Sequence, residues 1–207
     1  VLRSFFFVVL VFVLRNQRQE EMKYSLTKIK KRSGKPLTPI EKSVCDAIFD
    51  IEVRSKELKP ELQVLHITGV KEFNVYQKKK VIVISVPLDQ LSAYHKIQAK
   101  LVRLLEKKFS GKDVIILGNR RARKKPTSRL AKRPRGRTIQ AVQEALLNDV
   151  VFPVEIASKS TRVSLNGNKN IKVGLDPREK ASYEGKLPTF AIVYKKITGQ
   201  RVRFNFV

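Results

Sequence analysis

Residues 120–137 read RRARKKPTSRLAKRPRGR: ten Lys or Arg in eighteen positions, seven of them Arg, with no acid and two prolines. A stretch of this kind cannot bury enough apolar surface to fold alone, so it constrains everything around it. Whatever the chain builds must come from the segments on either side. Both flanks carry the hydrophobic patterning of regular elements, which makes the run a loop anchored at both ends and projecting from a folded body. An ordered structure is expected for it only against a polyanion.

The remaining charge sharpens that expectation. Of 207 residues, 44 are Lys or Arg and 18 are Asp or Glu, a formal net charge of +26. Self-repulsion on this scale opposes compaction unless a polyanion screens it. Nucleic acid is the partner this predicts, with an anionic membrane surface as the weaker alternative. Guanidinium forks bind phosphate oxygens in pairs and stack on bases, and Arg-rich segments can fold on RNA. Such contacts give position more than sequence specificity. The candidate RNA-binding residues are Arg120, Arg121, Arg123, Lys124, Lys125, Arg129, Lys132, Arg133, Arg135 and Arg137. The competing reading is a merely solvated or localisation segment. An apolar content of 42% argues against global disorder, and the single cysteine, Cys45, excludes an intrachain disulfide framework and fits a reducing compartment.

Ahead of the loop, Thr38, Pro39 and Glu41 form the signature of a capped helix start. Ile40, Val44, Ile48 and Ile51 then give one apolar stripe, and Pro60 is expected to close the segment. Residues 62–76 and 81–86 read as two antiparallel strands joined by QKKK; the second, VIVISV, is apolar enough to be covered on both faces. Leu91, Tyr94, Ile97, Leu101, Leu104, Leu105 and Phe109 recur at helical intervals, with Gly111 placed to stop the helix. DVIILG (residues 113–118) is another buried strand, and strand–helix–strand in this order implies a parallel pair.

After the loop, Thr138 caps a helix with Ile139, Val142 and Leu146 on one face. VFPVEI leads into a second sheet region, where TRVSLN and IKVGL read as a hairpin. Residues 187–200 form a short helix that Gly199 should end. RVRFNFV alternates, with Val202, Phe204 and Phe206 facing inward and Arg201, Arg203 and Asn205 outward. The reading is an α+β fold: a mixed sheet with packed helices, a long basic loop, and a C-terminal hairpin-plus-helix-plus-strand region. Its divisions are residues 1–21, an apolar N-terminal extension; 22–37, a basic surface arm; 38–118, an N-terminal α/β half; 119–137, the loop; and 138–207, a C-terminal α+β half.

Catalytic chemistry finds little support. His66, read in a strand, and His95, on a helix, are far apart and are expected to be structural; Asp46 and Asp50 read as a solvated helix face, so no metal site is expected. No phosphate-loop, dinucleotide or nucleophile-elbow motif occurs. Phe73, Phe109, Phe190, Phe204 and Phe206 read as core residues and not as a stacking platform for bases.

Three strings carry a resemblance: KIQAKLVRLLEKKFSGKDV; KRPRGRT followed by DVVFPVEI; and FAIVYKKITGQRVRFNF. They resemble the eukaryotic small-subunit (40S) ribosomal protein seven family, in order, from about Pro36 to Val207. That resemblance implies a structural rRNA-binding component that supports subunit assembly, not an enzyme, with no cofactor. It implies small-subunit rRNA and neighbouring small-subunit ribosomal proteins as partners, no small-molecule substrate and no membrane. It also implies work in the cytoplasm after assembly in the nucleolus, with residues 120–137 against rRNA. Two rival readings are a non-ribosomal RNA-binding assembly factor and a basic membrane-associated protein anchored by residues 5–14.

Residues 1–21 have no counterpart in the resemblance. FFFVVLVFVL is too short to cross a bilayer as a helix, which takes about 20 residues. It has the length of a signal h-region, but no small-residue cleavage site follows. The only methionine, Met22, comes directly after. The favoured expectation is an extension upstream of the natural start; a lineage-specific tail packed on a ribosomal neighbour and a targeting segment are the alternatives.

Overall fold

A computed structural model describes residues 27–31, 36–75, 79–128, 130–167 and 169–207. The apolar run at residues 5–14, the first part of the basic arm and Arg129 lie outside the described residues. Within them the chain alternates helices with two three-stranded mixed sheets, as the α+β reading expects.

Helix α1 (Pro39–Arg54) starts as its sequence dictates. Thr38 Oγ1 accepts from the Glu41 N–H, and the Glu41 carboxylate accepts from the Thr38 N–H at 2.7 Å. Val44, Ile48 and Ile51 are buried along one stripe. Pro60 does not close this segment: α1 ends at Ser55, and Pro60 sits in the first turn of a second short helix, α2 (Lys59–Val64), where a residue without an N–H costs nothing. Leu62 and Val64 therefore belong to α2. The first strand, β1 (Gly69–Asn74), is shorter than residues 62–76, and His66 lies in the connection and not in a strand.

Strand β1 pairs antiparallel with β2 (Lys80–Val86), and β2 pairs parallel with β3 (Lys112–Gly118) across helix α3 (Leu91–Lys108). Ile82, Ile84 and Val86 enter a first core with Leu101 and Leu105 of α3 and the α1 stripe. The alternate residues Val81 and Val83, with Ile115 and Leu117 of β3, enter a second core. That double burial is what the unbroken apolar run of β2 demands.

The second core is completed by the C-terminal half. It draws on α4 (Ile139–Val151), α5 (Leu187–Thr198), and the inner face of a sheet ordered β4 (Ile156–Val163), β5 (Lys169–Leu175), β6 (Arg201–Phe206). In α4 the face turned to the core is centred on Val142, Leu147 and Val150; Ile139 is exposed, and Leu146 only half-buried, because α4 must also lay Asp149 against β3. Strands β4 and β5 form the expected antiparallel hairpin, and β5 and β6 pair parallel. Gly199, at φ 77°, ends α5 in the left-handed region that favours glycine, its N–H donating to Lys195 O. The layers run helix, sheet, helix, sheet, with the first sheet common to both cores and, among the described residues, no layer over the outer face of the second.

Part of the basic arm is built into the body. Ile29 bridges to Ile67, and Lys28 is buried with its Nζ 2.8 Å from Glu52 Oε2 and 2.9 Å from Leu62 O. Lys28 can be buried because Glu52 supplies the counter-charge and the end of α2 supplies carbonyl acceptors.

Candidate nucleic-acid interface

The basic loop leaves the C-terminal end of β3 and returns at the N-terminus of α4. Its root is fastened on both sides. The Asn119 N–H donates to Val86 O at 2.8 Å, which extends the β2–β3 pairing past the strand end. The Arg123 N–H donates to Arg137 O at 2.9 Å and draws the two limbs together. Arg133 Nη1 donates to Arg123 O at 2.8 Å and braces that neck. At the return, Arg135–Arg137 form one tight helical turn before Thr138 caps α4 by accepting from the Ala141 N–H. These hydrogen bonds tie the neck of the loop together.

The candidate residues divide by environment. Arg121, Arg123, Lys124, Lys125, Lys132, Arg135 and Arg137 are exposed, and among the described residues they form no ion pair. Arg133 is half-buried at the neck. Arg120 differs from all of these: its guanidinium pairs with Asp149, whose side chain is only 4% exposed. The same carboxylate oxygen accepts from the Gly118 N–H at 3.1 Å. A Cβ on Gly118 would lie 3.0 Å from the Arg120 guanidinium and 3.1 Å from Asp149 Oδ2, so the glycine keeps this junction tight. Arg120 therefore holds the loop root to α4, while the cations beyond it face solvent.

Between the root and the ends of β2 and β3 lies a cleft of about 720 Å³ whose lining includes Lys30, Arg121, Arg123 and Arg137, with Asp89 and Asn119. Clefts beyond the carboxyl ends of parallel strands are where open sheets with helices on their faces hold ligands. The positive end of α4 adds to the cationic field there. With Arg120, which also lines the cleft although it is paired to Asp149, five cations face one lining carboxylate, which suits a phosphate backbone, and their pattern is one of charge and position with no base-reading geometry.

Other candidates stand apart from this cleft. His95 stacks on Phe152 with ring centroids 4.0 Å apart; burial is the main cause holding its imidazole below the ordinary range. His66 is lowered by burial and by Lys30 and Lys28. Asp50 pairs with Lys108, as a solvated helix face would. Among the described residues no group of three or more His, Cys, Asp or Glu is placed to hold a metal ion, and no helix is long and apolar enough to cross a membrane. Phe190 and Phe204 are buried and meet edge to face, while Phe73, Phe109 and Phe206 pack against the two cores.

Residues 28–206 match the family described as ribosomal protein S7e. The chain belongs to that family. Its relatives include the small ribosomal subunit protein eS7z of Arabidopsis thaliana, 46% identical over 180 residues, covering 86% of this chain and 94% of the relative. Small ribosomal subunit protein eS7 of Manduca sexta is 46% identical over 185 residues, covering 87% and 96%. That of Schizosaccharomyces pombe is 45% identical over 185 residues, covering 88% and 95%. The S7e match starts at Lys28, ahead of the Pro36 at which the resemblance in the sequence begins, and Lys28 is buried. Sequence reasoning missed Lys30 and Asp149, which the fold brings to the loop root from either side of it in the chain; neither stands in a motif that would have marked it.

Proposed function

We propose that this member of the ribosomal protein S7e family is a structural constituent of the small ribosomal subunit, binding and positioning rRNA and supporting subunit assembly. The observation that carries the reading is the loop at residues 119–137: beyond Arg120, a run of mostly exposed cations that form no ion pair among the described residues, set on a root fastened to two core elements. Arg121, Arg123, Lys124, Lys125, Arg129, Lys132, Arg133, Arg135 and Arg137 lie against the rRNA backbone, and Arg120 sets the angle of the root. The relatives' names place them in the small subunit, and 94–96% of each of the three relatives is covered by this chain. The partners are small-subunit rRNA and adjoining ribosomal proteins, the site of work is the cytoplasmic ribosome after nucleolar assembly, and the contribution is structural and not catalytic. Residues 38–118 and 138–207 act as two halves that together fix the loop between them.

Sedimentation tests the reading: the protein should remain with small subunits through a moderate salt wash, and release into the soluble fraction would overturn it. With about five phosphates engaged by the loop, the slope of log K against log salt should be on the order of −4. Replacing Arg121, Arg123, Lys132, Arg135 and Arg137 by Ala should make it much shallower. An unchanged slope would retire the loop as the main RNA contact.

A further inference from the structure

The second sheet shows what the loop does not explain. Its inner face packs on α4 and α5, but its outer face has no covering layer among the described residues. The register fixes which side chains stand there. Ser160 pairs with Lys172, and Lys172 with Arg203; one row over, Arg162 pairs with Asn170, and Asn170 with Arg201. The row on the other side is Ser158, Gly174 and Asn205. Side chains alternate between faces along each strand, so these three rows share the face opposite Ile171, Val173, Val202 and Phe204, which are buried. Lys159 checks the parity: it belongs to the inner set, and its ammonium reaches Glu144 of α4 at 2.7 Å.

Arg162, Lys172, Arg201 and Arg203 are all exposed and fill two adjacent rows. Within a strand such neighbours lie about 6.7 Å apart, and across strands about 4.8 Å. The three rows contain no carboxylate. Asp176 and Glu155 lie past the far end of the sheet, where Asp176 already faces Arg178. The rows themselves contain no aromatic or large aliphatic side chain of the kind that anchors a protein interface; Val207, next outward along the chain after β6, lies over Gly174 at the far edge as a single apolar side chain. Serines, asparagines and a glycine between the cations leave hydrogen-bonding groups and a low profile. A charged surface of one sign, with one valine at its edge and no large apolar anchor, complements a sugar–phosphate backbone.

We infer that the outer face of this sheet, through Arg162, Lys172, Arg201 and Arg203, is a second RNA-backbone contact, separate from the loop. The inference rests on the RNA-binding reading above, and its test separates the two. The probe is polyuridylate, titrated with the full chain over a range of salt. The sheet variant carries Arg162→Gln, Lys172→Gln, Arg201→Gln and Arg203→Gln. A control carries Lys42→Gln, Lys56→Gln, Lys59→Gln and Lys107→Gln, removing the same charge from exposed positions on the helical side. If the four cations engage phosphates, the salt slope becomes shallower by about 2 to 3 and the Kd at about 0.1 M salt rises at least tenfold, with a much smaller effect in the control. Equal effects in the two variants, or none in the sheet variant, overturn the proposal; the loop variant, measured alongside, decides the loop separately. Should the sheet variant melt early, a photo-crosslinker at Ser160 in isolated small subunits gives the second readout. Crosslinks to rRNA support the inference, and crosslinks to protein alone, or none, overturn it.

Discussion

Asp149→Asn sets two explanations of RNA binding against each other. The side chain is buried, and its carboxylate accepts from the Gly118 N–H and pairs with Arg120. Asparagine keeps the shape and an acceptor oxygen but removes the charge. Removing one partner of a fully buried pair costs about 3–5 kcal/mol; with its side chain 19% exposed, Arg120 can turn to solvent, which brings the loss down to about 2 kcal/mol. The substitution also makes the protein more basic by one charge. If binding simply counted cations, the freed Arg120 would tighten it and steepen the salt slope by roughly 0.7–0.9. If the junction positions the loop, binding should weaken. About two root residues must then be ordered when RNA binds, at roughly 1–2 kcal/mol each. A loss of about 2 kcal/mol corresponds to about 30-fold in Kd. Fluorescence anisotropy with polyuridylate across a salt series measures binding, and guanidinium unfolding of the same variant measures stability. Equal or tighter binding by the Asp149→Asn variant would refute the positioning role of Arg120.

Lys28→Met should destabilise the fold by about 3 kcal/mol or more, because it leaves Glu52 buried without its counter-charge. Adding Glu52→Leu should recover most of the loss in urea unfolding, and a double variant as unstable as the single would count against the buried pair. Burial, with Asp46 and Glu41 nearby, pushes the Cys45 thiol up to about 12, so alkylation should proceed only as fast as global unfolding; rapid labelling of the folded protein would contradict this. His95 is held below its ordinary 6.5 by burial and Arg120, against the upward pull of Asp149. The unfolded state therefore takes up the proton first, and the stability present above about 6.5 should be lost as pH falls through the folded value. His95→Phe, which keeps the stack on Phe152, should flatten that decline in thermal melts; His66 contributes with the same sign.

Much of the architecture was legible because local signals agreed with burial. The capping residues of α1, the two-sided apolar run of β2, the heptad-like stripe of α3 and Gly199 each state a local rule that the packed structure keeps. One misreading is local, and the others share a cause: the deciding contact lies far along the chain. Pro60 looks like a terminator until α2 is seen to begin beside it. Lys28 sits among lysines and reads as solvated; only Glu52, on another helix, makes its burial tolerable. Ile139 belongs to the right helix but the wrong face, since the orientation of α4 is set by both Asp149 and its apolar residues. The candidate interface was legible in outline, because ten cations in eighteen residues need no fold to be noticed. Its anchor was not, because a lone aspartate on a helix carries no mark of the arginine it will meet.

The first sheet, shared by two cores, imposes an order on vectorial synthesis. When β3 leaves the exit tunnel, the α1 and α3 side of the sheet can close at once, but Val81, Val83, Ile115 and Leu117 have only Phe73 and Val75 beside them until α4, α5 and β6 follow. From Leu117 to Phe204, at about 5–20 residues per second, this takes on the order of 4–17 seconds. During that interval the nascent chain presents a bare aliphatic strip immediately ahead of its most cationic segment, close to the anionic surface of the ribosome that is making it. A chain halted in this window would be both adhesive and highly charged. Its safe passage therefore depends on the last strand arriving promptly, or on a chaperone that covers the strip until it does.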